Sequence, residues 1–535
     1  MEIAINNIFI PDFKELVFRK CSIGISKGKI VSISENKIKG NITIDGEGCY
    51  LTPGLIDCHC HIESSYLLPS QFGNEALKRG VLHVVADCHE IANVAGRKGL
   101  EFFIKDAKNT LCNIMFAVPS CVPATEFATS GGKITIEDME YLFGFKEVVA
   151  LGELMNYKGV INREEKFMKM IKLAKKYKKI VNGHAPGLTG ELLKAYVSAG
   201  IDDDHENESY KEILEKIQSG LSVFIREGSA EHTQSDAYKI IREYPDKIMF
   251  CSDDKTAEDL VNIGHIDYNL KKAISLGIEP ILALKVASYN GLMHYGLKEY
   301  AEIKVGNKAY LVIFDPEFNV KNVIVNGKIY TEKPQHIEVP DYLLHSFRIK
   351  PIDNVPPIKN HRICILAKDG SLITERLILE NHNKEYDLEN DILKIVNIER
   401  YGYGNRSSAK IKGFGLKKGA IGTSVAHDCH NILAVGTSDE AIKIVVNKII
   451  EEQGGLALFD GKEVFFMPLK VGGIVSAESV SEVIKNLKLL KDKAKELGST
   501  LTDPFATLSF MALEVIPHIK LTDKGLFNVD KFSYE

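Results

Sequence analysis

Residues 57 to 65 read DCHCHIESS, two histidines interleaved with two cysteines, and either pair has the chemistry to bind a transition metal. The stretch ends an apolar run, LTPGLIDCHCH, entered through Pro53 and Gly54, that reads as a buried strand. Strand side chains alternate, so Asp57, His59 and His61 are expected on one face and Cys58 and Cys60 on the other. Two histidines two apart can aim at one ion. A Cys-x-Cys pair would need two more soft ligands, and the chain has no Cys-x-x-Cys to supply them. The cysteines are therefore expected as small buried filler, and the histidines need ligands from elsewhere.

Those ligands come from the order of the elements. Eight strand-like runs, at 54–61, 81–88, 113–120, 147–153, 179–184, 200–205, 221–227 and 247–253, alternate with helical segments. One of these helical segments, NREEKFMKMIKLAKKYK, sets Phe167, Met170, Ile171 and Ala174 on one face. Strands alternating with helices argue for a parallel sheet, and eight is the number that closes a (β/α)8 barrel. The C-terminal ends of such strands carry the chemistry, and here they end in His59 and His61, Glu153, His184, His205 and Asp253. Any one of these alone would read as a capping or hydrogen-bonding residue. Six in one register predict a site for two divalent ions bridged by Glu153, and imidazole with carboxylate suits Zn, Mn or Fe. Cys251 is in phase with Asp253 and is expected in the interior packing.

The flanks read differently. Residues 1–52 are short β-patterned pieces separated by turn signals, and similar pieces return at 302–335, so a small composite β domain is expected around a barrel at 53–301. A proline-containing stretch at 336–358 reads as a linker, and 359–535 as a further α/β domain. The 535 residues carry a net charge of −5, which gives no footprint for nucleic acid or an anionic membrane and leaves a small molecule as the expected partner. Ten cysteines without framework spacing and no secretory leader point to reduced thiols in the cytoplasm, and no apolar run is long enough to span a bilayer.

Taken together, LTPGLIDCHCHIESS, VVADCHEIANV, LGELMN, NGHAPGL, DDHE, IREGSA, CSDD with GHID, GFGLKKGAIGTSVAHDCHNILAVG and DPFATLSFMALEVIPHIKLTDKGL resemble the adenine deaminases of the amidohydrolase superfamily, over nearly the whole length. The resemblance implies hydrolysis of adenine to hypoxanthine and ammonia in purine salvage, by a homo-oligomeric barrel enzyme that uses Mn²⁺ or Fe²⁺, with Zn²⁺ as an alternative. It carries over as metal ligands His59, His61, Glu153, His184, His205 and Asp253. The sequence departs from the family's usual wording at Cys88, where proline is common, after His205, and at Lys255-Thr256, none of them a proposed ligand.

The chemistry fits beside the resemblance. Displacing ammonia from C6 of a purine calls for a metal-activated hydroxide, with Asp253 taking the water proton and passing it to the leaving nitrogen. An acid must face the base to protonate N1; His89 and Glu90 are the candidates, with Glu227 held in reserve as a substrate contact. His427, Asp428 and His430 in AHDCHN are expected either to close over the barrel mouth and contact substrate or to form a polar turn in an interface. Zinc deaminases of the H-x-E and P-C-x-x-C type are disfavoured, since His61-Ile62-Glu63 has no P-C-x-x-C to match it. Dihydroorotase- or hydantoinase-type hydrolases share the first-strand histidines but bridge their metals with a carboxylated lysine where Glu153 stands. A non-catalytic metal-binding relative is expected to lack a ligand or the base, and none is missing.

Overall fold

The structure, a computed structural model, describes residues 1–332, 338–380 and 384–535. The first five strands are β1 (Ile3–Asp12), β2 (Val17–Ser26), β3 (Lys29–Ser34), β4 (Ile42–Asp45) and β5 (Tyr50–Pro53). They join β15 (Leu311–Phe314), β16 (Val320–Val325) and β17 (Lys328–Ile329) in one sheet of order β17-β16-β15-β5-β1-β2-β3, with β4 on β1. Alternating isoleucines of β1 and β2 meet Leu311, Ile313 and Ile324 in a core of their own. The two flanks of the chain thus build a single sheet at the point where the central segment leaves and returns.

The central segment supplies β6 (Leu55–His61), β7 (Val81–Asp87), β8 (Asn113–Val118), β9 (Val148–Leu154), β10 (Ile180–Gly183), β11 (Asp203–Asp204), β12 (Ser222–Arg226), β13 (Ile248–Cys251) and β14 (Asp253–Asp254). All pairings among them are parallel, in two sheets of order β10-β9-β8-β7-β6-β14 and β11-β12-β13. The sheets meet twice. β14 continues β13 across Ser252, and the Asp202 N–H donates to the Val181 carbonyl at 3.0 Å. Helices between the strands bury apolar stripes on the outside, as Glu165–Lys176 does with Phe167, Met170, Ile171 and Ala174. Ile56, Cys58, Val85, Met115, Ala150, Phe224, Met249 and Cys251 pack on the inside.

One expectation about β6 fails. The β6–β7 register shifts between Asp57 and Cys60, and the shift resets the alternation. Cys58 therefore lies in the inner cluster with Ile56, while Cys60 lies with Ile62 and Cys88 in the larger core. Asp57 turns away from the two histidines. Its carboxylate accepts from the Ser252 N–H at 3.0 Å and pairs with His265 Nε2 at 2.6 Å, tying β6 to the last strand and to the GHID turn.

Residues 336 and 337 of the expected linker lie outside the described residues. Asp341–Leu344 forms a helical turn, and Phe347 and Val355 sink into a core shared with Val396 and Ile432. Prolines bar this stretch from a regular ladder but leave its apolar side chains free to pack. The C-terminal segment is an eight-stranded sheet, from Ile363–Leu366 to Val464–Pro468, covered by helices Asp439–Glu451 and Val480–Glu496. It docks on the central strands. Thr125 donates to buried Glu514 at 2.6 Å, and Thr129 to Asp523 at 2.5 Å.

Glu514 makes that seam sensitive to pH. Burial pushes its carboxyl up to about 7 against the opposing pull of Thr125. A folded-state value above the unfolded one of about 4.3 means the fold holds the proton more tightly, so this group's contribution is complete below that value and is lost as pH rises through 7. Glu514→Gln is expected to raise the thermal midpoint over wild type at pH 8 and to change it little at pH 5. Equal shifts at the two pH values would contradict the assignment.

Candidate metal centre

Asp87, at the end of β7, organises the centre by two hydrogen bonds. Its carbonyl accepts from His61 Nδ1 at 2.8 Å, which fixes the imidazole and turns the Nε2 lone pair inward. Its carboxylate accepts from the Glu153 N–H at 2.9 Å, which sets the end of β9. His61 Nε2 then lies 3.2 Å from His59 Nε2, and Asp253 Oδ1 is 3.1 and 3.4 Å from the two. Glu153 continues the cluster. Its Oε1 is 3.5 Å from His61 Nε2, and its Oε2 is 2.7 Å from His184 Nδ1 and 3.3 Å from His205 Nε2. The His205 ring stacks on His59 with centroids 3.9 Å apart.

The fold thus brings together all six residues read from the strand ends. Five are buried and His184 is partly so. Two imidazole nitrogens at contact distance with a carboxylate beside them cannot all be satisfied by one another, and buried His205 Nε2 has no well-aligned hydrogen-bond partner among the described residues. Electrostatics point the same way. Burial works to lower the His61 imidazole, but the Asp253 carboxylate raises it well above its usual value, and His205, beside Glu153, is pushed up to about 9. Burial would raise Glu153, yet His184 holds it well below the usual carboxylate range. The pocket favours positive charge, and its donors suit a hard or borderline divalent metal. Triads such as His59, His61 and Asp253, or His59, Glu153 and His205, present ligand atoms within 4.8 Å of one another.

A second cluster adjoins the first through His89 and Glu90, which begin helix His89–Asp106. His89 Nδ1 is 3.7 Å from Glu153 Oε1, and its Nε2 is 3.4 Å from Glu90 Oε1 and 3.7 Å from Asp428 Oδ1. The Glu90 carboxylate is clamped between His427 Nδ1 and His430 Nε2. AHDCHN therefore reaches the mouth of the parallel strands from the C-terminal segment. His427 is also stacked on Phe510, with centroids 4.4 Å apart. Burial would raise Glu90, but His427 and then His430 hold it well below the usual range. His427 is raised by Glu90 against burial, whereas burial wins at His430, so the proton of this trio belongs on His427. A cavity between the two parts of the chain is lined by Glu90, Asp253, His427 and His430 together with Leu372 and Phe510.

Glu227 does not join them. Its carboxylate is taken up by Tyr238 at 2.6 Å, Lys272 at 2.5 Å and His232 at 3.2 Å. The reason is parity: Phe224 faces inward on β12, so Arg226 does also and Glu227 points out. Arg226 and Glu206 are the residues that strand-end reading missed. Arg226 Nη1 is 2.8 Å from Asp253 Oδ2, and Glu206 lies 3.5 Å from His205. The alternation of β12 carried the signal for Arg226; Glu206, two past a strand of two residues, left none.

Gly152 tests how tightly this geometry is set, because a Cβ there would lie 2.3 Å from Asp87 Oδ2, the atom that holds the Glu153 N–H. Gly152→Ala is expected to cost roughly 1–3 kcal/mol as overpacking and to lower bound metal in purified protein. Full metal content in a folded G152A variant would contradict the role given to Asp87.

Comparison with known proteins agrees with this geometry. Residues 50–330 match the amidohydrolase family, and residues 371–533 match the adenine deaminase C-terminal domain. The chain is 39% identical over 540 residues to an adenine deaminase of Methanosarcina mazei, with 96% of each chain covered. It is 37% identical over 550 residues to one of Desulfatibacillum aliphaticivorans, covering 100% of this chain and 96% of that one. A third, from Thermosipho africanus, is 36% identical over 551 residues, covering 99% and 96%. With inward-facing histidines and carboxylates on its parallel strands and a C-terminal segment closing over them, the chain belongs to the adenine deaminase family of amidohydrolases.

Proposed function

We propose that the protein hydrolyses adenine to hypoxanthine and ammonia at a binuclear site on a (β/α)8 barrel. The observation that carries this reading is that its likeness to adenine deaminases runs through both halves of the cavity, the strand ends and the C-terminal cap. His59, His61 and Asp253 would hold one ion and His184 and His205 the other, with Glu153 between them. Mn²⁺ or Fe²⁺ is the pair proposed, with Zn²⁺ as an alternative, since imidazole and carboxylate suit all three. When bound, such ions supply a nucleophile at neutral pH by lowering the pKa of water.

The chain's own groups do the rest. Asp253 Oδ1 faces the histidines and takes one proton from the attacking water as its oxygen bonds to C6. The same carboxylate passes that proton to the exocyclic nitrogen, which leaves as ammonia. N1 must gain a proton as C6 becomes tetrahedral. The Glu90–His427 pair lines the cavity with its proton on His427 and is assigned this delivery. The remaining hydroxyl proton returns to the pair as the C6 carbonyl forms, and hypoxanthine keeps its N1–H. His430 holds the other Glu90 oxygen, and Asp428 approaches His89, so the C-terminal residues position the acid. The apolar wall of Leu372 and Phe510 excludes water from the flat ring.

Ammonia release from adenine is the test, with protein reloaded separately with Mn²⁺, Fe²⁺ or Zn²⁺. Equal amounts of ammonia and hypoxanthine are expected, falling by roughly 1,000-fold or more in Asp253→Asn. Silence with every metal, in folded protein that binds two ions, would overturn the assignment. His427→Gln is expected to lower kcat about 10²-fold with metal content unchanged, and an unaltered kcat would remove it from the acid pair.

A further inference from the structure

Asp253 reaches the cluster by an unusual route. β13 stops at Cys251, and Asp253 resumes the pairing with β6 at φ 56°, in the left-handed region that residues other than glycine seldom adopt. The turn aims the carboxylate at His59 and His61 but leaves its rotation to be settled by contacts. On the side away from the histidines stands Arg226, only 3% exposed. Its Nη1 is 2.8 Å from Asp253 Oδ2 and 2.5 Å from Glu206 Oε1, and its Nη2 is 2.7 Å from Glu231 Oε2 and 3.3 Å from Glu206 Oε2. One buried guanidinium thus serves three carboxylates. Its planar fork spreads these contacts over two nitrogens, a geometry that a point-like ammonium does not reproduce.

The three carboxylates have different neighbours. Asp253 and Glu231 line the cavity, whereas Glu206 points toward the second half of the metal centre, 3.8 Å from His184 and 3.5 Å from His205. Without the guanidinium, like charges would drive Asp253, Glu206 and Glu231 apart. We infer that Arg226 is a positioning residue for the reaction. It holds Asp253 Oδ2 so that Oδ1 faces the reacting water. The inference rests on the adenine reading above.

The test uses full-length, Mn²⁺-loaded wild type, Arg226→Met and Arg226→Lys, with kcat and KM for adenine, bound metal, and rescue by millimolar guanidinium or methylammonium. Arg226→Met is expected to keep its metal, to hold KM within about threefold, and to lose roughly 100-fold in kcat. Guanidinium is expected to restore about tenfold of that loss and methylammonium far less, because only the planar fork reaches Glu231 through a second nitrogen while the first holds Asp253 and Glu206. Arg226→Lys should show the same kcat-selective loss, and it carries the test alone if Arg226→Met fails to fold. A kcat within about threefold of wild type in either folded variant would overturn the inference, as would a loss that follows metal content and ignores guanidinium. Wild type without activity on adenine would count against the adenine reading; active wild type with equally active variants would count against Arg226 alone.

Discussion

Four imidazoles and two carboxylates at one end of the parallel strands form an arrangement that water cannot solvate and that the groups cannot satisfy among themselves. Desolvation makes each charge costly, and contacts such as the 3.2 Å separation of His59 Nε2 and His61 Nε2 leave room for one proton where two lone pairs point. The arrangement is compensated when a cation takes the place of those protons. Much of the surrounding structure serves to hold it. Asp87 fixes His61 and Glu153, Asp57 ties β6 to the last strand, and Tyr196 accepts from the His184 N–H at 3.0 Å.

The C-terminal segment belongs to the same electrostatic system. Glu90 begins a helix that follows a central strand, yet its carboxylate is held by two histidines more than 330 positions later in the chain. Removing one partner from a buried pair of this kind leaves a charge without compensation, which is why docking and the active cavity depend on each other. The half of the cavity contributed by this segment is partly apolar, and the half from the strands carries Glu63, Glu90, Glu231, Asp253 and Asp254. A flat, donor-rich heterocycle matches both surfaces.

Much of this was legible in the sequence, for identifiable physical reasons. Parallel strands buried on both faces read as apolar runs, and their polar terminal residues stand out against them, as with His184, His205 and Asp253. What stayed hidden depended on register. A one-residue irregularity in β6 separated Cys58 from Cys60 and turned Asp57 toward Ser252, and no residue type announces such a shift. Reading strand ends without their phase puts Glu227 in reserve as a substrate contact; Phe224 inside puts Arg226 inside. The engagement of His427 and His430 with Glu90 is a contact at long sequence separation that local pattern cannot supply.

The central claim is that the cluster holds two ions with Glu153 between them. Anomalous diffraction at the manganese edge, from crystals of Mn²⁺-loaded protein, tests it directly. The account predicts two peaks, one among His59, His61 and Asp253 and one against His184 and His205, with Glu153 reaching both. A single peak, or a pair of peaks away from these residues, would contradict it.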